Sequence, residues 1–199
     1  ISVEGYFNYG LKNGEWSTFT EEGKLFSIGF YSNDYKNGVW KYFFKSGYMK
    51  SEGIYSTGFK NGQWIFFYEN KNIDEIGSYY NDVKDGLWGR FYSDGKLKQE
   101  EMYDKGKLIS ISEYYLDNGK IADKGNFENG NGDVFDYYED GKVFSIKKYN
   151  NGFLNGKSVF YHLNGKIAEV GNYENNIRVG IWKKYNKRGV EISQGSYEK

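Results

Sequence analysis

The side chains that could support acid–base chemistry are few and scattered in this sequence. His162 is the single histidine, and no serine or aspartate stands at a fixed spacing from it. Two carboxylate pairs, Glu100 with Glu101 and Asp136 with Glu139, are of the type that glycoside hydrolases use. Nothing in the surrounding pattern predicts a pocket or an environment that would tune their pKa values. The sequence therefore predicts no catalytic residues and no cofactor.

Metal and phosphate motifs are equally weak. The segments 117–119 (Asp-Asn-Gly) and 140–141 (Asp-Gly) lack the spacing of an EF-hand calcium loop. The segment 130–132 (Gly-Asn-Gly) lacks the strand-to-helix context of a phosphate-binding loop. The chain has no cysteine, which excludes disulfides and thiolate zinc sites. We therefore predict no metal site.

Composition narrows the class of protein further. The 199 residues include 27 Lys and Arg against 27 Asp and Glu, so the formal net charge is zero. That balance argues against a globally basic nucleic-acid-binding domain. Aromatic residues make up 21% of the chain, which argues against disorder despite the many charges. No apolar run approaches the ~18 residues of a membrane span.

Positioning of side chains in this chain is governed by an internal repeat. Four tryptophans stand 24 residues apart, each preceded by a glycine two residues earlier and followed by an aromatic three residues later. A second glycine column runs through the chain, with an aromatic two residues after each member. The tryptophans are Trp16, Trp40, Trp64 and Trp88, and the second glycines are Gly29, Gly53, Gly77, Gly125, Gly171 and Gly195.

Each repeat predicts a β-hairpin. Residues 39–44 and 49–55 are rich in strand-forming residues, and turn sequences such as Asp-Gly and Asn-Gly recur between such pairs. We expect the polar segment 56–62 to link one hairpin to the next. The second glycine should leave a gap into which a neighbouring ring can lie. We predict an all-β fold: an elongated single-layer antiparallel sheet, β-solenoid-like, of about eight stacked 24-residue hairpins. This single array covers 1–199, with irregular copies at about 104–160.

Variable positions on the same strands are the first candidates for binding. Two and four residues after the tryptophan column, copies two to five carry six aromatic residues that would form a contiguous patch on one face. Exposed aromatic patches are typical of interfaces and could equally stack on sugar rings. The alternative is that these rings only shield the backbone of a thin sheet. The six residues are Tyr42, Phe44, Phe66, Tyr68, Tyr92 and Tyr114.

A row of lysines is the second candidate. Lys12, Lys36, Lys60 and Lys84 recur every 24 residues, with Arg178 in register later. We expect these side chains to line one edge of the array, about 10 Å apart. Such a row could bind anionic lipid headgroups or another acidic polymer. Lysines on exposed edges also deter aggregation, which is the alternative interpretation.

These columns resemble the MORN repeat, in its longer bacterial variant found in YwqK-type proteins. The matching pattern is Tyr-x(6)-Gly-x-Trp-x-x-aromatic followed by Gly-Lys and Gly-x-aromatic, as in 31–43 and 173–185. The resemblance implies a stack of hairpins used for protein–protein interaction, scaffolding or dimerisation. For some relatives it implies an association with membrane lipids or an antitoxin-like role.

We therefore expect a non-enzymatic module that binds a protein partner through its aromatic-rich face. The alternative is a cell-surface repeat protein that binds carbohydrate or anionic lipid. Open sheet ends make a homodimer a further expectation, and no nucleic-acid partner is predicted. The Lys-, Asn- and Ile-rich composition suggests a bacterial source. The sequence leaves the compartment unknown, with the envelope or secretion favoured over the cytoplasm.

Overall fold

The computed structural model describes residues 2–198, so the two terminal residues of the predicted array lie outside the described residues. These residues form strands and turns, with no helix. The chain divides into two compact units, Ile1–Leu97 and Lys98–Lys199. The prediction of an all-β fold of stacked antiparallel hairpins is confirmed.

In the first unit every strand pairs antiparallel with the strands next to it in sequence. The strands are eight or nine residues long after the first. They are β1 (Ser2–Asn8), β2 (Leu11–Phe19), β3 (Leu25–Ser32), β4 (Tyr35–Phe43), β5 (Met49–Ser56), β6 (Phe59–Phe67), β7 (Ile73–Tyr80) and β8 (Val83–Phe91).

The second unit contains shorter and less regular strands before a six-stranded sheet. β9 pairs with β10, β11 with β12, and β13 to β18 pair in sequence order. Strand length returns to eight residues at β14. The strands are β9 (Leu97–Asp104), β10 (Lys107–Ile111), β11 (Tyr114–Tyr115), β12 (Ile121–Ala122), β13 (Gly132–Tyr137), β14 (Val143–Asn150), β15 (Phe153–Tyr161), β16 (Ile167–Glu174), β17 (Ile177–Tyr185) and β18 (Glu191–Tyr197).

The segment between hairpins differs from the polar link that the sequence predicts. Only Thr57 and Gly58 separate β5 from β6, and both have positive φ, as a tight hairpin turn requires. Strand β6 therefore begins at Phe59 and includes Lys60. The polar residues at 60–62 join the sheet because Gly62, at φ 64°, absorbs a register shift opposite Gly53 and Ile54.

The core of the first unit is a column of tryptophans lying over glycines. Each indole covers a glycine of the preceding strand so closely that a Cβ there would overlap the ring. The tryptophans are no more than 4% exposed. The predicted gap filled by a ring is confirmed, here and at one pair in the second unit. The pairs are Gly5 with Trp16, Gly29 with Trp40, Gly53 with Trp64, Gly77 with Trp88, and Gly171 with Trp182.

The second unit replaces this core where the tryptophan is missing. Ser158 stands at a tryptophan position, and its partner on the preceding strand is Lys147, where the other copies have the glycine that an indole covers. Lys147 Nζ lies 2.7 Å from Oδ2 of the buried Asp136, which also accepts a 3.0 Å hydrogen bond from Ser145. A lysine fits there because no indole occupies the space. Around Val134, another position that lacks the tryptophan, Leu108 and Phe127 form a small apolar cluster.

Candidate binding surfaces

Two of the predicted aromatic residues lie between successive tryptophans. The Tyr42 ring is 6.1 Å from Trp40 and 6.4 Å from Trp64, and Phe66 fills the same place between Trp64 and Trp88. The face of the first unit that carries this row is called the Trp face below. Both rings are half-buried, so they stabilise the stack and still present one side to solvent.

Tyr42 also belongs to a chain of polar groups on the Trp face. Lys36 Nζ donates to Tyr42 Oη at 2.7 Å, and Tyr42 Oη lies 3.2 Å from Tyr55 Oη. Burial raises the pKa of the Tyr42 phenol well above its ordinary value, with the Tyr55 hydrogen bond adding to the effect. Burial lowers the pKa of the Lys36 ammonium, and the nearby Lys60 and Lys12 lower it further. The hydroxyls therefore stay protonated at neutral pH and act as hydrogen-bonding groups.

The column four residues after the tryptophan joins one copy to the next. Tyr68 Oη donates to the Phe91 carbonyl oxygen at 2.8 Å. Tyr138 Oη makes the equivalent bond to the Tyr161 carbonyl oxygen, and in both bonds the acceptor lies 23 residues after the tyrosine. His162 occupies this position in a later copy, with Nε2 2.8 Å from the Tyr185 carbonyl oxygen. The single histidine therefore has a structural partner on the backbone.

Two members of the predicted patch are buried. Tyr92 is 2% exposed and Tyr114 is 1% exposed. The prediction of an exposed aromatic surface is therefore wrong for these two residues. The sequence could not show this, because the column of Tyr92 is half-buried at Phe44 and Tyr68, and the column of Tyr114 is half-buried at Tyr42 and Phe66.

The other four predicted residues line three cavities that share Lys50. Three adjoining cavities of about 520, 710 and 290 Å³ all reach Lys50. We call their combined surface the Lys50 groove. Its lining includes all four predicted aromatics together with rings that the sequence did not single out. The aromatic lining is Phe19, Phe26, Tyr42, Phe43, Phe44, Tyr55, Trp64, Phe66, Phe67 and Tyr68.

Each lysine of the predicted row is the second residue of its strand, next to a hairpin turn, and its side chain lies over the Trp face. Lys36 and Trp40 are an even number of residues apart on β4 and therefore point to the same face. Lys36 Nζ lies 4.3 Å from the Trp40 ring centroid. Lys12, Lys60 and Lys84 lie 4.8, 4.5 and 4.1 Å over the tryptophans that follow them, and the Arg178 guanidinium lies 3.9 Å over Trp182. These cations therefore shield the tryptophans, and the four lysines complete the Trp face of the first unit.

The surface that sequence reasoning missed lies on the opposite side of the first unit. Its members are sequence neighbours of residues on the Trp face, so strand alternation turns them the other way. They are large apolar residues with 40–60% of their surface exposed. Alternation read from the tryptophan column could have found them. We call this set the apolar back face: Phe30, Tyr35, Val39, Ile54, Phe59, Tyr80, Val83 and Leu87.

No group of three or more His, Cys, Asp or Glu side chains within residues 2–198 could hold a metal ion. The same residues form no helix with the length and apolarity that a membrane span requires. Anion binding by Lys12, Lys36, Lys60 and Lys84 stays a prediction. Lys84 already has a carboxylate partner, because its Nζ lies 3.5 Å from Glu75 Oε2.

Comparison with known proteins gives one result that bears on this repeat. A search of curated proteins found no match to the chain. The pattern of the family described as the MORN repeat variant matches residues 12–33, 60–82, 84–105, 131–151 and 154–175, which together make up more than half of the chain. Repeats of this kind are generally non-catalytic modules for interaction or binding. The chain belongs to the MORN repeat variant family.

Proposed function

We propose that this chain is a non-catalytic module that binds a protein partner in the Lys50 groove. The observation that carries the proposal is the set of three cavities that share Lys50 and have aromatic rings in their linings. Each cavity has, or approaches, the size of sites that take several side chains or a small ligand. The groove also spans three successive copies, so an elongated segment of a partner can follow it.

The chemistry of the groove favours a polypeptide. Aromatic rings provide apolar anchor sites, which dominate the energetics of protein interfaces. Between them stand charges of both signs, with Lys45 and Lys50 beside Glu69 and Asp74. A partner segment with apolar anchors and flanking charges would satisfy both kinds of group. An antitoxin-like role would be one form of this function, since such a protein acts by covering a surface of another.

Photo-crosslinking tests the proposal because it reports which surface the partner contacts. A photoreactive amino acid replaces exposed Lys45, next to Phe44. The matched control replaces exposed Lys187, which holds the same place in a later hairpin next to Asn186. We expect a partner adduct from position 45 only, and we expect Phe44→Ser to remove it while the circular dichroism spectrum stays unchanged.

Two results would contradict the proposal. One is equal adduct formation at positions 45 and 187, which would mean that contact is unspecific. The other is an adduct at position 45 that persists in the folded Phe44→Ser variant. Binding of the chain to a glycan array and to vesicles containing phosphatidylserine tests the two other ligands. If the chain binds either one and Phe44→Ser abolishes that binding, the groove is assigned to that ligand instead.

A further inference from the structure

We infer that two copies of this chain pair through the apolar back face. The face is an open sheet surface in the first unit, and its eight residues remain about half exposed. Val39 and Ile54 are direct cross-strand partners at its middle. Phe30 lies beyond Val39 on the neighbouring strand β3, so large apolar side chains follow one another across three strands.

The size of the face matches what a stable dimer needs. A half-exposed ring or large aliphatic side chain offers about 100 Å² of surface, so eight of them offer about 800 Å². A standard interface buries about 800 Å² on each partner. The largest apolar patch of a typical monomer is only about 300–600 Å². The apolar back face is therefore larger than a monomer ordinarily leaves in water.

The pattern of the face favours a second copy over an unrelated partner. Tyr35, Phe59 and Val83 repeat at the same position of successive hairpins, about 10 Å apart, and an identical face presents the same spacing. Two such sheets packed face to face lie about 10 Å apart, a distance that interdigitating side chains of this size fill.

Charge on the face is compatible with self-pairing. Lys41 and Glu52 lie on the same side of the sheet and form an ion pair, with Nζ and Oε2 4.0 Å apart. A two-fold axis therefore brings no isolated charge onto its own copy at these two positions. Exposed Glu15, directly opposite Phe30, lies on β2 at the outer end of the face. The chain has zero formal net charge, so long-range repulsion does not oppose association.

Pairing through this face leaves the Trp face free. Tyr42 and Trp64, which line the Lys50 groove, are on the Trp face, whereas Val39 and Ile54 point the other way. Phe43, which also lines the Lys50 groove, is four residues after Val39 on β4 and points to the side of the apolar back face. A dimer would therefore carry two copies of the part of the groove that Tyr42 and Trp64 line. Two tethered sites raise the overall affinity for a multivalent partner without any new contact.

Sedimentation velocity over a range of protein concentrations tests the inference. We expect the wild-type chain, of 23.2 kDa, to sediment as a dimer. Val39→Lys places a charge in the interface twice and should raise the dimer dissociation constant at least ~100-fold. The matched control is Ile181→Lys, which also precedes a tryptophan and is exposed in the second unit; it should sediment as the wild type does.

The inference is overturned if the wild type is monomeric at the highest concentration, or if Val39→Lys leaves a folded dimer intact. It is also overturned if Ile181→Lys dissociates the dimer equally. If the wild type is monomeric and the Val39→Lys variant loses the adduct at position 45, the apolar back face binds a different protein instead. The dimer does not depend on the Lys50 groove, because a monomeric Val39→Lys variant should still form the adduct at position 45.

Discussion

Replacing Gly53 with alanine tests the packing that holds the first unit together. The new Cβ would overlap the Trp64 indole, which is 1% exposed and donates from Nε1 to the Ile54 carbonyl oxygen at 3.1 Å. Gly53 has no positive φ, so backbone strain does not contribute. The indole must therefore move away from the strand, and it loses burial, the hydrogen bond and its contact with Lys60.

The expected magnitude follows from the burial of the ring. An indole buries about 200 Å², which at ~25 cal/mol/Å² corresponds to at most ~5 kcal/mol. Partial displacement should keep some of that, so we expect a loss of about 3 kcal/mol in the free energy of unfolding. Gly195→Ala is the matched control, since its Cβ would meet nothing nearer than 3.7 Å; it should change the stability by less than about 0.5 kcal/mol.

Urea unfolding followed by circular dichroism and tryptophan fluorescence measures both variants. We expect Gly53→Ala to lower the midpoint and to shift the fluorescence of the native state to longer wavelength. In a Trp64→Val background the same substitution should cost much less, because the clash partner is gone. Equal effects of Gly53→Ala and Gly195→Ala, or an undiminished cost in the Trp64→Val background, would refute this account of the core.

Two further predictions concern single polar groups. Burial, with the charges of nearby carboxylates, raises the pKa of Tyr79 to about 12. The stabilisation that its protonated phenol gives the folded state is therefore complete below pH 10 and is lost as the pH rises toward 12. Tyr79→Phe should reduce the fall in urea midpoint between pH 10 and 12, and an unchanged slope would contradict the prediction. Asp82 Oδ1 accepts a 2.7 Å hydrogen bond from the Lys60 amide, and Asn176 makes the equivalent bond in the second unit. Asp82 also has φ 68°, a backbone conformation that asparagine adopts more readily than alanine. Asp82→Ala should therefore lower the free energy of unfolding by about 1–2 kcal/mol in urea titrations and Asp82→Asn should not; equal losses in the two variants would contradict this prediction.

Much of the fold could be predicted because the same residue pattern, and therefore the same contact, recurs in several copies of the repeat. The spacing of Trp40 and Trp64, with Gly53 between them, predicts a ring over a glycine, and the structure has that packing. Turn sequences likewise predict where strands reverse. Even the copy with Asn70-Lys71 turns at the expected place, since Lys71 adopts φ 75° where the other copies use glycine.

The binding surfaces were harder to predict because they depend on register and not on residue type. The sequence predicts a linker at residues 56–62, but Lys60 belongs to strand β6 and its side chain lies on the same face as Trp64. Tyr92 has the same residue type and repeat position as Tyr68, yet only Tyr92 is buried. Side-chain alternation around a two-residue register shift decides the position of the lysines. The burial of Tyr92 depends instead on the side chains around it, because its alternation is the same as that of Tyr68, and a list of columns contains neither.

The tryptophan-over-glycine contact joins residues of successive copies, and this has a consequence for how the gene can change. Removing residues 36–59 would bring Gly29 opposite Trp64 at the same separation that it now has from Trp40. Unequal recombination in the first half of the gene can therefore change the number of copies and still leave each tryptophan packed on a glycine. Removing residues 150–173 would instead bring Lys147 opposite Trp182 and leave an ammonium chain where an indole must lie. We expect natural length variants to gain or lose copies upstream of residue 97 and to conserve the number downstream.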